Sequence, residues 1–224
     1  MEVRRAHPAP SGQPPAFRER DNVNVQPVIL SGTAVRLEPL GLEHHADLCA
    51  AGLDPELWKL TMTLIRTPEE MRVYIEEALR LQSAGSALPF AIVEQYNGRA
   101  IGSTRYAAID RANRRVEIGW TWVARPWQRT RINTEAKYLL LRHAFESLGC
   151  NRVEFKTDAL NAQSRKAILR IGAKEEGILR HHMIAPGGRL RDSVYYSVIG
   201  EEWPDLRRSL ESKLTPPHPS PISQ

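Results

Sequence analysis

The chain is poor in cysteine and has no long apolar run. Cys49 and Cys150 are the two cysteines among 224 residues. They lack the spacing of metal ligands, which argues against a zinc site and against a disulfide-stapled scaffold. No apolar run approaches the length of a membrane span, and residues 1–21 lack the apolar stretch of a secretory signal. We expect a cytoplasmic protein with reduced thiols, no metal and no membrane partner.

Proline is scarce in the interior of the chain and concentrated at its ends. Nine of the sixteen prolines lie in residues 1–27 and 215–224. Such segments do not supply the apolar surface that a core needs. We therefore expect disordered extensions at 1–27 and 215–224, and one folded domain over residues 28–214.

The charge is moderately basic. Lys and Arg number 31 against 26 Asp and Glu, which gives a formal net charge of +5. This excess suits an anionic partner without distinguishing a nucleic acid from a nucleotide cofactor. The aromatic residues do not interleave regularly with basic ones, as they do in base-stacking motifs, so a nucleic-acid partner is disfavoured.

Periodicity predicts a mixed α/β (α+β) fold with a largely antiparallel sheet. Helices are predicted after Gly41, from an N-cap at Thr67 with Glu70 completing a capping box, and from Ile132 to a stop at Gly149. Asn97-Gly98 between two apolar runs predicts a hairpin. The predicted strands are 33–40, 88–95, 100–109, 114–123, 152–158, 177–183 and 189–199.

A basic turn precedes the helix that begins at Ile132. The turn, Gln128 to Asn133, would direct several unpaired backbone amides and the positive end of the helix dipole at whatever lies outside. Such a helix start binds phosphate groups, and it follows a strand that ends in Trp122-Val123. The segment therefore predicts a site for a phosphorylated thioester such as coenzyme A.

Several short motifs, in this order, resemble the GNAT superfamily of acetyl-CoA-dependent N-acyltransferases, most closely its RimJ/RimL type of ribosomal-protein N-terminal acetyltransferases. The resemblance covers about residues 28–203 and implies the GNAT fold, a twisted sheet flanked by helices and splayed between its fourth and fifth strands. It also implies that the pantetheine arm lies in that gap. The motifs are Val116-Glu117-Ile118-Gly119-Trp120, Asn133-Thr134-Glu135-Ala136-Lys137, Asn161 with Ser164, Ile171-Gly172-Ala173, Glu176-Gly177 and Trp203-Pro204.

The resemblance assigns residues to the cofactor acetyl-CoA, and the sequence departs from the family at one place. Arg131 stands where the phosphate loop usually has Gly, and Asn133 where it has Gly or Ala. A long side chain there would either crowd the phosphates or, with Arg129, bind them through charge-assisted bonds. The expected cofactor-binding residues are Trp122, Val123, Gln128, Arg129, Thr130, Arg131, Ile132, Asn133, Thr134, Asn161 and Ser164.

The resemblance also implies two catalytic residues, each with a purely structural alternative. Glu117 would deprotonate the acceptor amine, or it is a solvated strand carboxylate. Ser164 would protonate the leaving thiolate, or it is a first-turn helix serine. Asn161 would bind the pantetheine, cap the next helix, or do both.

Other polar and aromatic residues are further candidates. Strand alternation predicts that one of His181 and His182 points inward, near the acceptor, although we favour the alternative that these are packed or exposed histidines without a role in the site. Trp120, Trp122 and Trp127 line the acceptor groove or fill the core, and we favour the core.

The predicted reaction is direct attack of a primary amine on the acetyl thioester. A protein α-amine titrates near ~8 and a lysine near ~10.4, so weak base candidates favour a protein N terminus as acceptor. The alternatives are a small amine such as an antibiotic or polyamine, and a catalytically degenerate RNA- or protein-binding module. A monomer and a homodimer are both compatible with the sequence.

Overall fold

The computed structural model describes residues 23–215. The described part begins before the expected domain boundary at residue 28, and Val23 is fully buried in the core. Segments 1–22 and 216–224, on which the expectation of disordered extensions mostly falls, lie outside the described residues.

One eight-stranded sheet runs through the described part of the chain. Its order is β1-β2-β3-β4-β5-β6-β8-β7, and β5 with β6 is the parallel pair among otherwise antiparallel neighbours. The strands are β1 (Leu30–Ser31), β2 (Val35–Pro39), β3 (Leu88–Glu94), β4 (Ala100–Asp110), β5 (Arg115–Val123), β6 (Arg152–Asp158), β7 (Lys174–Ile184) and β8 (Leu190–Ile199).

Within residues 23–215, five α-helices flank this sheet. Thr67 caps the second helix as predicted, because its Oγ1 accepts a hydrogen bond from the Glu70 backbone N–H. The capping box is not closed as predicted, since the Glu70 carboxylate instead accepts from the N–H of Arg66. The helices are α1 (His45–Gly52), α2 (Pro68–Ser83), α3 (Ile132–Arg142), α4 (Ala162–Arg170) and α5 (Trp203–Leu214), and a π-helical turn, His143–Ser147, extends α3.

Apolar residues cluster on both faces of the sheet. The larger core joins α3 and α5 to the sheet, where Trp203 stacks on Phe145 with ring centroids 5.5 Å apart. The smaller core lies under α1 and α2 and contains Trp58 and Trp122, whose centroids are 5.3 Å apart. The sheet is therefore held from both sides, and its central strands are buried.

The predicted elements are confirmed with small shifts of their limits. Strand β6 has the predicted bounds, and the Asn97-Gly98 hairpin joins β3 to β4, with Gly98 at φ +69°. Strand β1 and helix α5 were not predicted. Because β1 adds one strand at the edge, the expected fourth and fifth strands correspond to β5 and β6.

Candidate active site

The predicted splay lies between β5 and β6. The two strands pair only from Arg115 with Arg152 to Glu117 with Glu154, although both continue beyond those residues. A cleft of about 1100 Å³ opens there. Side chains from β5, β6, α3, α4 and the segment 56–63 line it.

A bulge in β5 faces this opening. The register with β4 changes from Arg105 opposite Gly119 to Ser103 opposite Trp122, so two residues of β5, Trp120 and Thr121, oppose one residue of β4. Trp120 has φ +48°, outside the usual range for a non-glycine residue. A bulge of this kind takes backbone groups out of the ladder and redirects side chains beside a site.

The first turn of α3 forms the opposite wall. Gln128 connects this turn to its neighbours: its Nε2 donates to Val123 O at 3.0 Å, and its Oε1 accepts from Gln163 Nε2 at 3.0 Å. Five amides at this helix start have no acceptor among the described residues, which is the arrangement that binds anions. They belong to Arg129, Thr130, Arg131, Asn133 and Thr134.

The expected cofactor-binding residues divide between this cleft and the framework behind it. Seven line the cleft: Trp122, Val123, Gln128, Arg129, Asn133, Asn161 and Ser164. The side chains of Thr130, Arg131, Ile132 and Thr134 do not. Ile132 is buried in the larger core, Thr134 Oγ1 accepts from Arg170 Nη2 at 3.4 Å, and Thr130 Oγ1 donates to Trp127 O at 2.7 Å.

Arg131 occupies the position where the family usually has glycine. Its backbone is helical, with φ −69° and ψ −16°, so this position does not require glycine. Its side chain is exposed and does not line the cleft. The Arg131 side chain therefore neither narrows the cleft nor supplies a charge inside it.

Asn161 and Ser164 meet at the start of α4. Asn161 Oδ1 accepts from the Ser164 backbone N–H at 2.9 Å, which makes Asn161 the helix N-cap. Both side chains also line the cleft, and Ser164 is half-buried. One residue can thus cap the helix and face a ligand.

Glu117 lies at the last paired position of β5. Its side chain is buried and its Oε2 is 3.2 Å from Lys156 Nζ on β6. A Cβ at Gly119 would come within 2.8 Å of Glu117 Oε1, so glycine there leaves room for the carboxylate. The structure therefore places a buried carboxylate with a cationic partner where the strands separate.

Among the cationic residues of the cleft that sequence reasoning missed are Lys137, Lys156 and Arg191. Lys137, on α3, is 6% exposed, and burial lowers its pKa to about 7. Arg191, on β8, is 5% exposed, and burial lowers its pKa as well. Lys137 follows Asn133 by four residues on α3, but no local pattern in the sequence marks it as buried.

The prediction that one histidine of β7 points inward is wrong. His181 and His182 are both exposed. Strand β7 changes register with β8 between Leu179 and Met183, and His181 has φ +49°, so regular alternation of side chains is broken there. The His181 N–H donates to Asp192 Oδ1 at 2.7 Å, and His182 packs edge-on against Tyr195.

The three tryptophans of this region differ in environment. Trp122 is buried in the smaller core and also lines the cleft, whereas Trp120 lines the cleft and is 42% exposed. Trp127 packs against the larger core and does not line the cleft.

Within residues 23–215 no group of three or more His, Cys, Asp or Glu side chains could hold a metal ion. No helix in the same range has both the length and the apolar character that crossing a bilayer requires.

The chain was compared with known proteins. Residues 34–174 match the family described as "Acetyltransferase (GNAT) domain". The chain is 30% identical over 168 residues to the uncharacterized N-acetyltransferase p20 of Bacillus licheniformis, covering 75% of this chain and 93% of p20. It is 37% identical over 108 residues to YdaF of Bacillus subtilis (strain 168), named as a candidate ribosomal N-acetyltransferase, covering 48% of this chain and 58% of YdaF.

Solved structures share the fold. A GCN5-related N-acetyltransferase from Brucella melitensis superposes with a TM-score of 0.81 at 30% identity, covering 89% of this chain and 91% of that one. Mycobacterium smegmatis RimJ, in complex with CoA-disulfide, superposes with a TM-score of 0.70 at 22% identity, covering 83% and 91%. The chain therefore belongs to the GNAT acetyltransferases and is similar to their RimJ/RimL-like branch.

Proposed function

We propose that this acetyltransferase moves the acetyl group of acetyl-CoA to the α-amine at a protein N terminus. The observation that carries the proposal is the continuity of the site: Arg129 and Asn133, whose backbone amides are unpaired at the start of α3, line the same cleft as the residues of the gap between β5 and β6. Such a cleft fits a ligand with a phosphorylated end and a long narrow arm.

The residues present fit acetyl-CoA at both ends. The free amides of residues 129–131, 133 and 134, with the cleft-lining cations Arg129, Lys166 and Arg170, would hold the phosphates. On the first turn of α3, Asn133 Oδ1 is buried without a donor among the described residues, which suits an amide N–H of the pantetheine arm. Acetyl-CoA would supply an activated thioester, and the chain supplies its orientation.

The proposed roles of the polar residues follow from their positions. Glu117, at the separation of the strands, would attract the acceptor ammonium and accept its proton, directly or through a water. Backbone groups of the bulge at Trp120 and Thr121 would polarise the thioester carbonyl. Asn161 would bond the pantetheine, and Ser164 would donate a hydrogen bond toward the thiol. Much of the rate would then come from positioning.

The charge of the cleft supports an α-amine acceptor over a polyamine. Two acidic residues, Glu56 and Glu117, line the cleft, and both are ion-paired, with Lys59 and Lys156 respectively. Eight basic residues line the same cleft. A polycation would be repelled there, whereas an α-amine carries a single charge and is easily neutralised near pH 8. The name of YdaF points in the same direction.

The test begins with the cofactor. Acetyl-CoA at 100 times its Kd should stabilise the protein by ~2.7 kcal/mol, which for a domain of this size raises the Tm by roughly 5–10 °C. Adenosine 3′,5′-bisphosphate serves as the control for the phosphate end alone. An unchanged Tm at millimolar acetyl-CoA would contradict the proposed enzymatic activity and favour the alternative of a degenerate RNA- or protein-binding module.

The acceptor is then identified by free-thiol release. The panel pairs peptides that have a free N terminus and no lysine with the same peptides blocked at the N terminus and carrying one lysine. Polyamines and aminoglycosides complete it, and mass spectrometry locates the acetyl group. Turnover of the free N termini is expected. Turnover confined to lysine peptides or to small amines would contradict the proposal about the acceptor while leaving acetyl transfer intact.

A further inference from the structure

Lys137 is a buried amine at the floor of the cleft. Its Nζ donates to Thr121 Oγ1 at 2.6 Å and lies 5.6 Å from the centroid of the Phe155 ring. Thr121 belongs to the bulge of β5 and Phe155 to β6, so the amine sits between the two strands just beyond the point where they separate. Asn133 and Lys137 are four residues apart on α3 and both line the cleft.

No carboxylate within residues 23–215 lies at ion-pair distance from Lys137. Glu117 on β5 is the charged group that acts on it most directly, but Glu117 is paired with Lys156 on β6. On α4, Arg170 approaches α3 at Thr134, and on β8, Arg191 lines the same cleft. Desolvation therefore outweighs the attraction of Glu117, and the pKa of Lys137 falls to about 7.

Burying an amine without a counter-ion destabilises a fold, so such a lysine needs an explanation other than stability. Among the described residues Lys137 Nζ has one hydrogen-bond partner, the Thr121 hydroxyl of the bulge that faces the reacting end of the proposed cofactor site. Lys137 is a further group of the cleft that can carry a proton, and the proposed roles of Glu117 and Ser164 give it no part in the reaction.

We propose that Lys137 is a catalytic residue whose ammonium donates a proton to the coenzyme A sulfur as the carbon–sulfur bond breaks. This rests on the proposed acetyl transfer. The amine nitrogen forms a bond to the acetyl carbon, the electron pair of the carbon–sulfur bond passes to sulfur, and sulfur takes the proton from Lys137 Nζ. The proton lost by the acceptor nitrogen goes to Glu117 or water, and water returns one to Lys137, so charge and protons balance.

The acidity of Lys137 suits this step. A thiol titrates near ~8.5, so an ammonium with a pKa of about 7 transfers its proton to a thiolate downhill, whereas an ordinary lysine near ~10.4 would not. An acid whose pKa lies near the working pH is also protonated often enough to act. Thr121 holds the ammonium in one direction through the 2.6 Å hydrogen bond.

The decisive variants are Lys137→Met, which removes the amine, and Lys137→Arg, which keeps the charge but cannot release a proton at neutral pH. Both should lower kcat by roughly 10² or more, while the acetyl-CoA KM changes by less than about threefold. The Tm of Lys137→Met should equal or exceed that of the unaltered protein, because an unpaired buried charge is replaced by an apolar side chain. Lys174→Met, at a surface lysine on β7, is the matched control.

Two measurements distinguish a catalytic role of Lys137 from a purely structural one. The kcat of the unaltered protein should fall as the pH rises through about 7, because the protonated amine is the active form, and Lys137→Met should lose this limb. The ¹³Cε resonance of Lys137, assigned by its absence in Lys137→Met, should titrate near pH 7 in the protein without substrates.

Distinct results would overturn the proposal. Normal kcat in Lys137→Met, titration of Lys137 at the ordinary pKa of lysine, or acetylation of Lys137 itself as the turnover product would each exclude the role as acid. Absence of turnover with every amine in the unaltered protein would overturn the acetyl-transfer function, and the role of Lys137 with it. Normal turnover by the Lys137→Met protein overturns the role of Lys137 alone.

Discussion

Replacement of Glu135 by Gln should destabilise the fold although it changes little in size. Glu135 lies in the first turn of α3 and is 4% exposed. Its Oε1 accepts from the N–H and the hydroxyl of Thr33, at 2.7 and 2.8 Å. Its Oε2 accepts from the N–H groups of Ala34 and Val35, at 2.7 and 3.0 Å. The carboxylate thus fastens the β1–β2 turn to the helix that starts the anion site.

The magnitude follows from the donors left unpaired. A Gln side chain keeps one acceptor oxygen, but its NH2 group faces either the N–H groups of Ala34 and Val35 or the N–H and hydroxyl of Thr33, so one or two backbone N–H groups lose their acceptor. Each buried donor left unsatisfied costs about 1–3 kcal/mol, so Glu135→Gln should cost about 3 kcal/mol. For a domain of this size the Tm should fall by roughly 6–12 °C.

Urea unfolding followed by tryptophan fluorescence measures this cost directly, and the midpoint should move at an unchanged slope. Glu77→Gln is the matched control, because that carboxylate pairs with Arg80 on the exposed face of α2, and its loss should leave the midpoint almost where it was. A Glu135→Gln protein within about 1 kcal/mol of the unaltered one would show that water replaces these bonds and that the reasoning is wrong.

Three further predictions concern the site and its surroundings. Glu117→Gln should lower turnover by roughly 10² with little change in acetyl-CoA affinity, and Ser164→Ala should cost less; the reverse order in steady-state kinetics would contradict the assignment of Glu117 as base. Arg131→Gly should leave acetyl-CoA affinity by calorimetry within about threefold, because the side chain lies outside the cleft. A hydrogen-bonded Arg152 guanidinium lowers the pKa of Glu176 from 4.5 to about 2. The stability that the Glu176 carboxylate contributes is therefore complete above pH 4.5 and disappears as the pH falls through about 2. In acid titrations, Glu176→Gln should lose less stability than the unaltered protein between these two pH values.

Elements whose signals are local could be predicted from the sequence. The Asn97-Gly98 turn and the Thr67 N-cap each depend on a few adjacent residues, and both are found where the sequence indicates. The order of the strands could not be predicted in this way, because a periodic pattern within one segment does not show that β6 pairs with β5 in parallel. The resemblance to the GNAT family supplied the splay between these two strands but not their parallel direction, and the pairing that ends at Glu117 and Glu154 agrees with the splay.

Helix α5 was missed although its sequence carries a signal. Trp203, Leu206, Leu210 and Leu214 recur at helical spacing, and Pro204 stands in the first turn. Strand β1 has two residues and offers no pattern to detect. The inward histidine failed for a physical reason: a register shift in β7 is set by its pairing with β8, and alternation holds only while the ladder is regular.

The burial of Lys137 could not be read from the sequence, because a lysine in a helix normally lies in solvent. Its burial depends on where two distant strands separate.

Two buried charged residues of α3, Glu135 and Lys137, differ in how many hydrogen-bond partners they have. Glu135 and Lys137 are two residues apart and therefore project about 200° apart around the helix. The carboxylate has four donors, whereas the amine has one hydroxyl and no counter-ion among the described residues. A fully satisfied buried charge stabilises, while a poorly satisfied one persists only if it serves another purpose. Glu135→Gln should therefore lose stability, and Lys137→Met should lose turnover while keeping its stability.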